Sequence, residues 1–253
     1  MKKLFCLLLA VLMLAGCSGT EVPPETTTQP TTTAAPTETT EPTVVPDKLI
    51  ALTFDDGPNV NNSMEDVLDI LKQYDVKATF FLIGQQIDNS TKDVVLRAHQ
   101  EGHELGSHSF SHLNMKDMTE AEIQQEYQKV QDLVKTVTGE EPKLFRPPFL
   151  AASELMRQTI PAPFINGLGA SDYEAGVTAE TIAARTLRNA QDGAIILLHV
   201  SKGYDWTEDS LHIIIPELKK QGYEFVTVSE LFARTGVTPE NGVSYEIIGQ
   251  TAE

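Results

Sequence analysis

The sequence predicts an α/β domain in which parallel strands alternate with helices, folded as a compact, irregular (β/α) barrel. About seven strand–helix units follow one another in about 190 residues, an alternation typical of parallel sheets. A complete eight-unit barrel usually needs about 250 residues, so this barrel should be compact or irregular. No glycine-rich phosphate loop follows the first strand, which disfavours the alternative of a doubly wound sheet.

The first half of the domain shows strand and helix signals in regular alternation. Short apolar runs that are partly β-branched predict buried strands. Asn62 or Ser63 can cap the first helix, whose apolar side chains fall on one face. The predicted order is a strand at Leu49–Phe54, a helix to Tyr74, a strand at Ala78–Ile83, a helix at Lys92–Gln100 and a strand at Glu104–Ser107.

The second half continues this alternation as far as Arg234. Thr119 lies three residues before Glu122, a capping-box spacing that predicts the start of a helix. Further strands are predicted at Lys143–Arg146, Phe164–Leu168, Ala194–His199 and Glu224–Val228. Further helices are predicted from Thr119 to about Val137, at Ala152–Gln158, at Thr178–Ala190 and at Glu208–Gln221, with a helical turn near Glu230–Arg234.

The first residues have the pattern of an export signal. Two lysines precede an apolar run from Leu4 to Leu14, which is shorter than the roughly 20 residues that span a bilayer. The run ends in Leu-Ala-Gly-Cys, which resembles the lipobox of bacterial lipoproteins and implies cleavage before Cys17 and lipidation of its thiol. The alternative is an ordinary signal peptide with an incidental cysteine. We expect residues 1–16 to be the signal, and the protein to be anchored at the outer face of the bacterial cytoplasmic membrane.

Residues 17–46 are predicted to form a disordered tether. Between Thr20 and Pro46 there are 11 Thr, 6 Pro and 4 Glu in 27 residues, too few apolar side chains to offset the entropy of ordering. The folded domain is expected at residues 47–236. Residues 237–253 show no interpretable pattern.

Composition excludes several classes of protein. The formal net charge of −17 argues against a nucleic-acid partner, because binding phosphates requires a basic surface. Two cysteines cannot build a disulfide-rich scaffold or a four-thiolate zinc site. We expect a monomer.

Two carboxylates stand directly after the first strand, in Asp55-Asp56-Gly57-Pro58. Adjacent charges at a strand end are poorly placed for core packing and are candidates for chemistry. The same four residues are also ordinary turn chemistry, so this motif alone leaves both readings open.

Histidines are concentrated between residues 99 and 112. His108 and His112 are four apart, so one helical turn would direct both imidazoles the same way. Two imidazoles and one carboxylate suit a divalent metal and leave positions open for water and substrate. His99 and His103 are expected on the surface or behind the ligands.

Two further polar residues are predicted at strand ends. Arg146 lies in Phe-Arg-Pro-Pro-Phe, and His199 ends the apolar run at residues 195–198. Each alone could be structural, a surface arginine in a rigid turn or a hydrogen-bonded histidine.

Four ordered motifs together resemble the NodB-homology polysaccharide deacetylases, carbohydrate esterase family four. They are TFDDGP at 53–58, HSFSH at 108–112, FRPPF at 145–149 and ILLH at 196–199. The resemblance covers Lys48 to about Arg234. It implies a deformed (β/α) barrel that hydrolyses acetamides of N-acetylated sugars or, less often, acetate esters.

The resemblance also implies roles for individual residues. Asp56, His108 and His112 would bind a divalent metal, usually zinc in this family, which would activate the attacking water. Asp55 would be the general base, and His199 would protonate the departing amine.

Further residues would support this chemistry. The backbone N–H of Phe149 would stabilise the oxyanion, and Arg146 would orient the base. The family places an aspartate behind that arginine, and Asp172 is the candidate for this position.

Two departures from the family pattern concern the walls of the site. Leu150 replaces a usual glycine and Tyr173 a usual tryptophan, which puts substrate preference in doubt. Trp206, the only tryptophan, could stack on a sugar ring or pack locally.

The expected substrate is an N-acetylglucosamine-containing wall polymer, with peptidoglycan first because the tether would place the domain beside it. Acetylated xylan and an exopolysaccharide are alternative substrates. A non-catalytic glycan-binding lipoprotein on the same fold is the alternative function.

Overall fold

The computed structural model describes residues 48–59, 61, 63–200 and 205–249. All of them belong to one unit of the chain, residues 42–253. The predicted signal peptide, Cys17, the whole predicted tether and the cap at Asn62 lie outside the described residues.

A parallel sheet forms the centre of the described domain. Its strand order is β3-β2-β1-β6-β5, with β7 also pairing with β1, and a separate two-stranded sheet joins β4 to β8. All of these pairings are parallel. The strands are β1 Lys48–Gly57, β2 Thr79–Leu82, β3 Glu104–Ser107, β4 Phe164–Ile165, β5 Leu168–Gly169, β6 Ala194–His199, β7 Tyr223–Phe225 and β8 Ser244–Tyr245.

Single bridges link the two sheets. Phe145 pairs with Ser107 at the end of β3 and with Phe164 in β4, and Ile247 pairs antiparallel with Ala194 in β6. The strands of the described residues therefore curve in the manner of a deformed barrel without forming a closed ring.

Seven α-helices connect the strands in the described residues. They are α1 Ser63–Gln73, α2 Lys92–Gln100, α3 Glu120–Thr138, α4 Glu154–Thr159, α5 Ala179–Asn189, α6 Asp205–Lys220 and α7 Val228–Thr235. None of the helices that the structure describes is both long and apolar enough to cross a bilayer.

Both faces of β1 are buried. Ile50, Leu52 and Phe54 belong to one apolar cluster, whereas Ala51 packs in a second cluster with Ile195. Burial on both faces is the environment of strands in a covered parallel sheet, and it explains why β1 and β6 appear in the sequence as continuous apolar runs.

Most predicted elements are confirmed. The bounds of α2, β3 and β6 agree with the predictions. The capping box is also present, since the Thr119 side chain accepts from the backbone of Glu122 while the Glu122 carboxylate accepts from Thr119 N at 2.8 Å.

Three predictions about strands need correction. The strand predicted at Lys143–Arg146 is reduced to the bridge at Phe145, because Pro147 and Pro148 have no N–H to extend a ladder. The strand predicted at Phe164–Leu168 is divided into β4 and β5 by a turn at Gly167, where φ is +81°. The strand predicted at Glu224–Val228 is β7 at Tyr223–Phe225, because the Thr227 hydroxyl caps α7, which begins at Val228. Beyond these three, β8 lies in the C-terminal residues, for which the sequence showed no interpretable pattern.

Candidate functional site

A bulge in β1 turns two successive carboxylates toward the same cavity. Side chains in a regular strand alternate between faces. Here Asp55 pairs with Phe81 and Gly57 with the next residue of β2, so Asp56 is an extra residue, with φ at +71°. Asp55 and Asp56 consequently both line a cavity of about 520 Å³ at the carboxyl end of the sheet.

Asp56, His108 and His112 form a group that can hold a metal ion. One potential ligand atom from each lies within 4.8 Å of the others. Asp56 Oδ1 is 3.7 Å from His108 Nε2 and 3.5 Å from His112 Nε2.

The hydrogen bond of His108 and the lowered pKa of His112 both suit ligation. His108 Nδ1 lies 2.8 Å from the carbonyl oxygen of Arg146. Donation to that carbonyl leaves the lone pair on Nε2, the nitrogen that faces Asp56. Burial and the neighbouring His108 lower the pKa of His112, which keeps that ring neutral near pH 7. The donor set of two imidazoles and a carboxylate therefore fits a divalent ion such as zinc.

The two histidines do not lie on a helical turn, and this expectation was wrong. They lie in a loop after β3, in which Ser109 and His112 have φ of +63° and +56°. His112 N donates to Ser109 Oγ at 3.0 Å, and Ser111 N and Oγ both donate to Glu126 on α3. These bonds fold the loop so that the imidazole centroids lie 4.9 Å apart.

Asp55 is paired with Arg146 in the interior. Arg146 Nη1 donates to Asp55 Oδ1 at 2.6 Å, and Nε donates to the carbonyl of Ile165 at 2.7 Å. Phe81 covers the guanidinium at 4.1 Å. Burial alone would raise the pKa of Asp55, but the positive charge of Arg146 and its hydrogen bond oppose burial, and the pKa is lowered. Asp55 is thus held ionised, in the state that a general base requires.

Asp172 is buried behind His199, and not behind Arg146 as predicted. Its Oδ1 is 2.8 Å from His199 Nδ1, and its Oδ2 accepts from His199 N at 2.7 Å. Burial favours the neutral imidazole, but the hydrogen bond and charge of Asp172 outweigh it and raise the pKa of His199 to about 9. His199 lies directly across from Asp55 in the pairing of β1 with β6.

Apolar side chains form the walls of the cavity. The ring of Phe149 lies 4.9 Å from that of His112, and the ring of Tyr173 lies 5.5 Å from that of His199. Phe149 and Leu150 both have left-handed backbones, with φ of +58° and +54°. Leu150 thus occupies a conformation that favours glycine and still projects into the cavity, 42% exposed.

Trp206 makes the contacts of a packed residue. Its indole N–H donates to the carbonyl of Asp172 at 2.6 Å, and the ring packs against the apolar cluster that contains Ile50, Leu52 and Phe54. Thr207, whose hydroxyl donates to Asp172 Oδ2 at 2.9 Å, was missed by the sequence analysis. The predicted helix began at Glu208, one residue too late to draw attention to Thr207.

The two remaining histidines of the cluster lie away from this cavity. His103 precedes β3, is 5% exposed and accepts from Ala78 N through Nδ1 at 3.2 Å. Burial, with Lys77 nearby, lowers its pKa to about 4. His99 lies on α2. Neither belongs to the metal-binding group of the described residues.

Comparison with known proteins identifies similar sequences. Residues 43–161 match the sequence profile of a family described as polysaccharide deacetylase. A bifunctional xylanase/deacetylase of Pseudobutyrivibrio xylanivorans is 44% identical over 79% of this chain and 33% of its own length. A peptidoglycan-N-acetylglucosamine deacetylase of Listeria monocytogenes is 38% identical over 73% of this chain and 39% of its own. The chain thus spans between about a third and two fifths of the length of these two relatives.

A solved structure matches over its whole length. It is a family 4 acetyl xylan esterase from Clostridium thermocellum in complex with a cobalt ion. It is 40% identical, covers 80% of this chain and 100% of its own, and superposes with a TM-score of 0.78.

Proposed function

Because this chain belongs to the polysaccharide deacetylase family, we propose that it hydrolyses acetyl groups from an acetylated polysaccharide with the help of a divalent metal, releasing acetate. The observation that carries the proposal is the geometry of two ion pairs at adjacent strand ends, in which Arg146 contacts Asp55 at 2.6 Å and Asp172 contacts His199 at 2.8 Å. Asp55 is held ionised by Arg146, whereas His199 is held protonated by Asp172. Environments that separate the states of two titratable groups in this way define a base and an acid.

Each residue has a role that follows from its position. A metal held by Asp56, His108 and His112, zinc in our proposal, would polarise the acetyl carbonyl and acidify a water molecule. Asp55 would accept the proton of the attacking water. His199 would donate the proton that the leaving group needs.

Two groups would serve the transition state without moving a proton. The backbone N–H of Phe149, next to His112 in the cavity wall, would donate to the developing oxyanion. Arg146 would keep the Asp55 carboxylate fixed through its bond at 2.6 Å.

We infer that the bond cleaved is an acetamide of N-acetylglucosamine units, with peptidoglycan as the first candidate polymer. An amine is a poor leaving group, and a histidine with a pKa of about 9 is able to protonate it at neutral pH. The similarity to a peptidoglycan deacetylase supports this substrate.

Acetyl xylan is the second candidate substrate. The xylanase/deacetylase and the acetyl xylan esterase are 44% and 40% identical to this chain, against 38% for the peptidoglycan enzyme. The similarity to the acetyl xylan esterase favours hydrolysis of an acetate ester. The same base and acid would serve, since an alcohol also leaves more readily when it is protonated.

We also propose that the domain works outside the cell, as a monomer held through a lipid on Cys17 to the outer face of the membrane. The support is the Leu-Ala-Gly-Cys sequence and the Thr/Pro/Glu-rich segment that follows it. Such a tether would give the domain access to wall polymers.

Acetate release tests the reaction and the substrate together. The full-length chain, purified in detergent and supplied with zinc, would be incubated with chitooligosaccharide, peptidoglycan and acetylated xylan. Asp55→Asn should lose nearly all turnover, whereas Asp132→Asn, the same change on the exposed face of α3, should retain it. Acetate from the sugar amides alone supports the first substrate, and acetate from xylan alone supports the second. Absence of acetate from all three, with zinc bound, would overturn the hydrolase and favour the glycan-binding alternative.

A further inference from the structure

The first turn of α6 makes two hydrogen bonds to Asp172. Thr207, the third residue of α6, donates from its hydroxyl to Asp172 Oδ2 at 2.9 Å. Trp206 donates from its indole to the carbonyl oxygen of the same residue at 2.6 Å. Asp172 and Thr207 are 0% and 1% exposed, so water does not compete for these bonds.

The Asp172 carboxylate is held through both oxygens. Oδ1 faces His199 Nδ1, while Oδ2 accepts from His199 N and from the Thr207 hydroxyl. A buried carboxylate needs several donors to remain charged and in one orientation. Losing the Thr207 hydroxyl would leave the carboxylate held, among the described residues, by His199 alone, so no group outside the histidine that it orients would fix its plane.

The backbone of the loop between β5 and α5, which contains Asp172, is held by contacts other than those of the Asp172 carboxylate. Arg185 on α5 donates to the carbonyls of Ala170 and Ser171 at 3.2 and 3.3 Å. Together with Trp206, this contact fixes the main chain of the loop without touching the carboxylate. Thr207 is therefore distinguished by acting on the Asp172 side chain itself.

We propose that Thr207 is a positioning residue for the proton donor: its hydroxyl orients Asp172, which fixes the His199 ring with Nδ1 engaged and Nε2 left to protonate the leaving group. The inference rests on the proposed function, because it assigns Thr207 to the step in which His199 acts. Thr207 itself touches neither substrate nor metal in this assignment.

Two substrates with different leaving groups distinguish this role from a general structural one. In Thr207→Val the hydroxyl becomes a methyl group of similar size. We expect kcat on the polysaccharide that the wild type deacetylates to fall about tenfold, with KM changed less than about twofold. Hydrolysis of 4-nitrophenyl acetate should be unchanged, because nitrophenolate departs without protonation. Thr207→Ser should restore the polysaccharide rate.

A matched control lies on α5. Thr186 is fully buried, and its hydroxyl has no hydrogen-bond partner among the described residues, so Thr186→Val makes the same change away from Asp172. It should leave both rates as in the wild type. If Thr207→Val does not fold, Thr207→Ala removes the same hydroxyl without adding a methyl group.

Equal loss on both substrates, or no loss on either, would overturn the proposal.

A spectroscopic measurement tests the role of Thr207 independently of the proposed function. In ¹⁵N spectra of the zinc-loaded protein, the slowly exchanging Nδ1–H signal of His199 should weaken in Thr207→Val and persist in Thr186→Val. If the wild type releases no acetate, the proposed function fails while this signal still decides whether Thr207 positions His199. An unchanged signal in Thr207→Val would refute that role.

Discussion

Leu150 lines the candidate site from a backbone conformation that lowers the stability of the folded domain. Its φ of +54° is a conformation that costs residues with a Cβ about 1–2 kcal/mol, yet its side chain projects into the cavity. We predict that Leu150→Gly is more stable than Leu150→Ala by about 1 kcal/mol, because alanine keeps the Cβ and glycine does not. Urea unfolding of the two variants measures the difference. Equal midpoints would mean that the loop relaxes around either residue.

The Asp172–His199 pair predicts how activity depends on pH. With a pKa of about 9, His199 is protonated at neutral pH, and activity on an amide should fall as the pH rises through that value. Asp172→Asn removes the charge that raises this pKa. The alkaline fall in kcat should then move at least one pH unit lower, toward the ordinary histidine value of about 6.5.

The measurement is kcat between pH 6 and 10 on the sugar substrate. Asp209→Asn, an exposed residue of the same helix as Thr207, provides the matched control and should keep the wild-type profile. An alkaline limb at the same pH in Asp172→Asn would show that another group is the acid.

The role of Asp172 also marks the limit of prediction at the scale of single residues. The four motifs were sufficient to select Asp55, His108, Arg146 and His199, which all line or support one cavity. The partner of Asp172 could not be read from the sequence, because His199 is 27 residues away and Arg146 26. Which of them it contacts depends on the path of the loop after β5.

Among the elements, those with local signals were predicted well. The 19 residues of α3 begin at a capping box and end before Gly139, whose φ of +88° is the usual helix stop. Strands β4, β5 and β8 have only two residues each. Their pairing depends on contacts made by the folded chain, and segments this short have no periodic pattern from which strands could be predicted.

The C-terminal segment predicts a stability effect of its own. Asn166 N donates to the Tyr245 carbonyl at 2.9 Å, and Ile248, 2% exposed, packs in the second apolar cluster. We therefore expect Ile248→Ala to destabilise the domain by about 2–5 kcal/mol. Ile213→Ala on α6 makes the same change at a side chain that is 39% exposed, and should cost less than about 1 kcal/mol.

Thermal and urea unfolding of the two isoleucine variants would measure this difference. A loss in Ile248→Ala as small as that expected for Ile213→Ala would mean that the segment after Val237 is dispensable for the core, contrary to its contacts with β4 and β6.

On the scale of the whole molecule, the topology makes the site. Residues from the ends of β1, β3 and β6 and from two loops meet because the carboxyl ends of parallel strands lie at one edge of the sheet. That convergence was predictable from the alternation of strands and helices alone. An irregular barrel was also predictable, from the length of the domain, but the places where the ring of strands is interrupted were not, since they depend on where short segments stop pairing.

The same convergence makes metal binding a property of the fold. His108 and His112 follow Asp56 by 52 and 56 residues in the sequence, so unfolding would separate the carboxylate from the two imidazoles. A metal that binds only the folded chain raises its stability, by about 2.7 kcal/mol at a hundredfold excess over Kd. Zinc should therefore raise Tm, and EDTA should reverse the rise.

We expect His112→Ala to abolish most of this response, because it removes one of the three ligands. His212→Ala should respond like the wild type, since His212 lies on α6 beside Tyr74 and outside that group. Differential scanning calorimetry over a zinc titration provides the measurement. The rise in Tm should shrink as the pH falls below about 6, because protons compete with the metal for imidazole nitrogens. Equal rises in the two histidine variants would place the zinc elsewhere on the protein and remove the metal from the proposed chemistry.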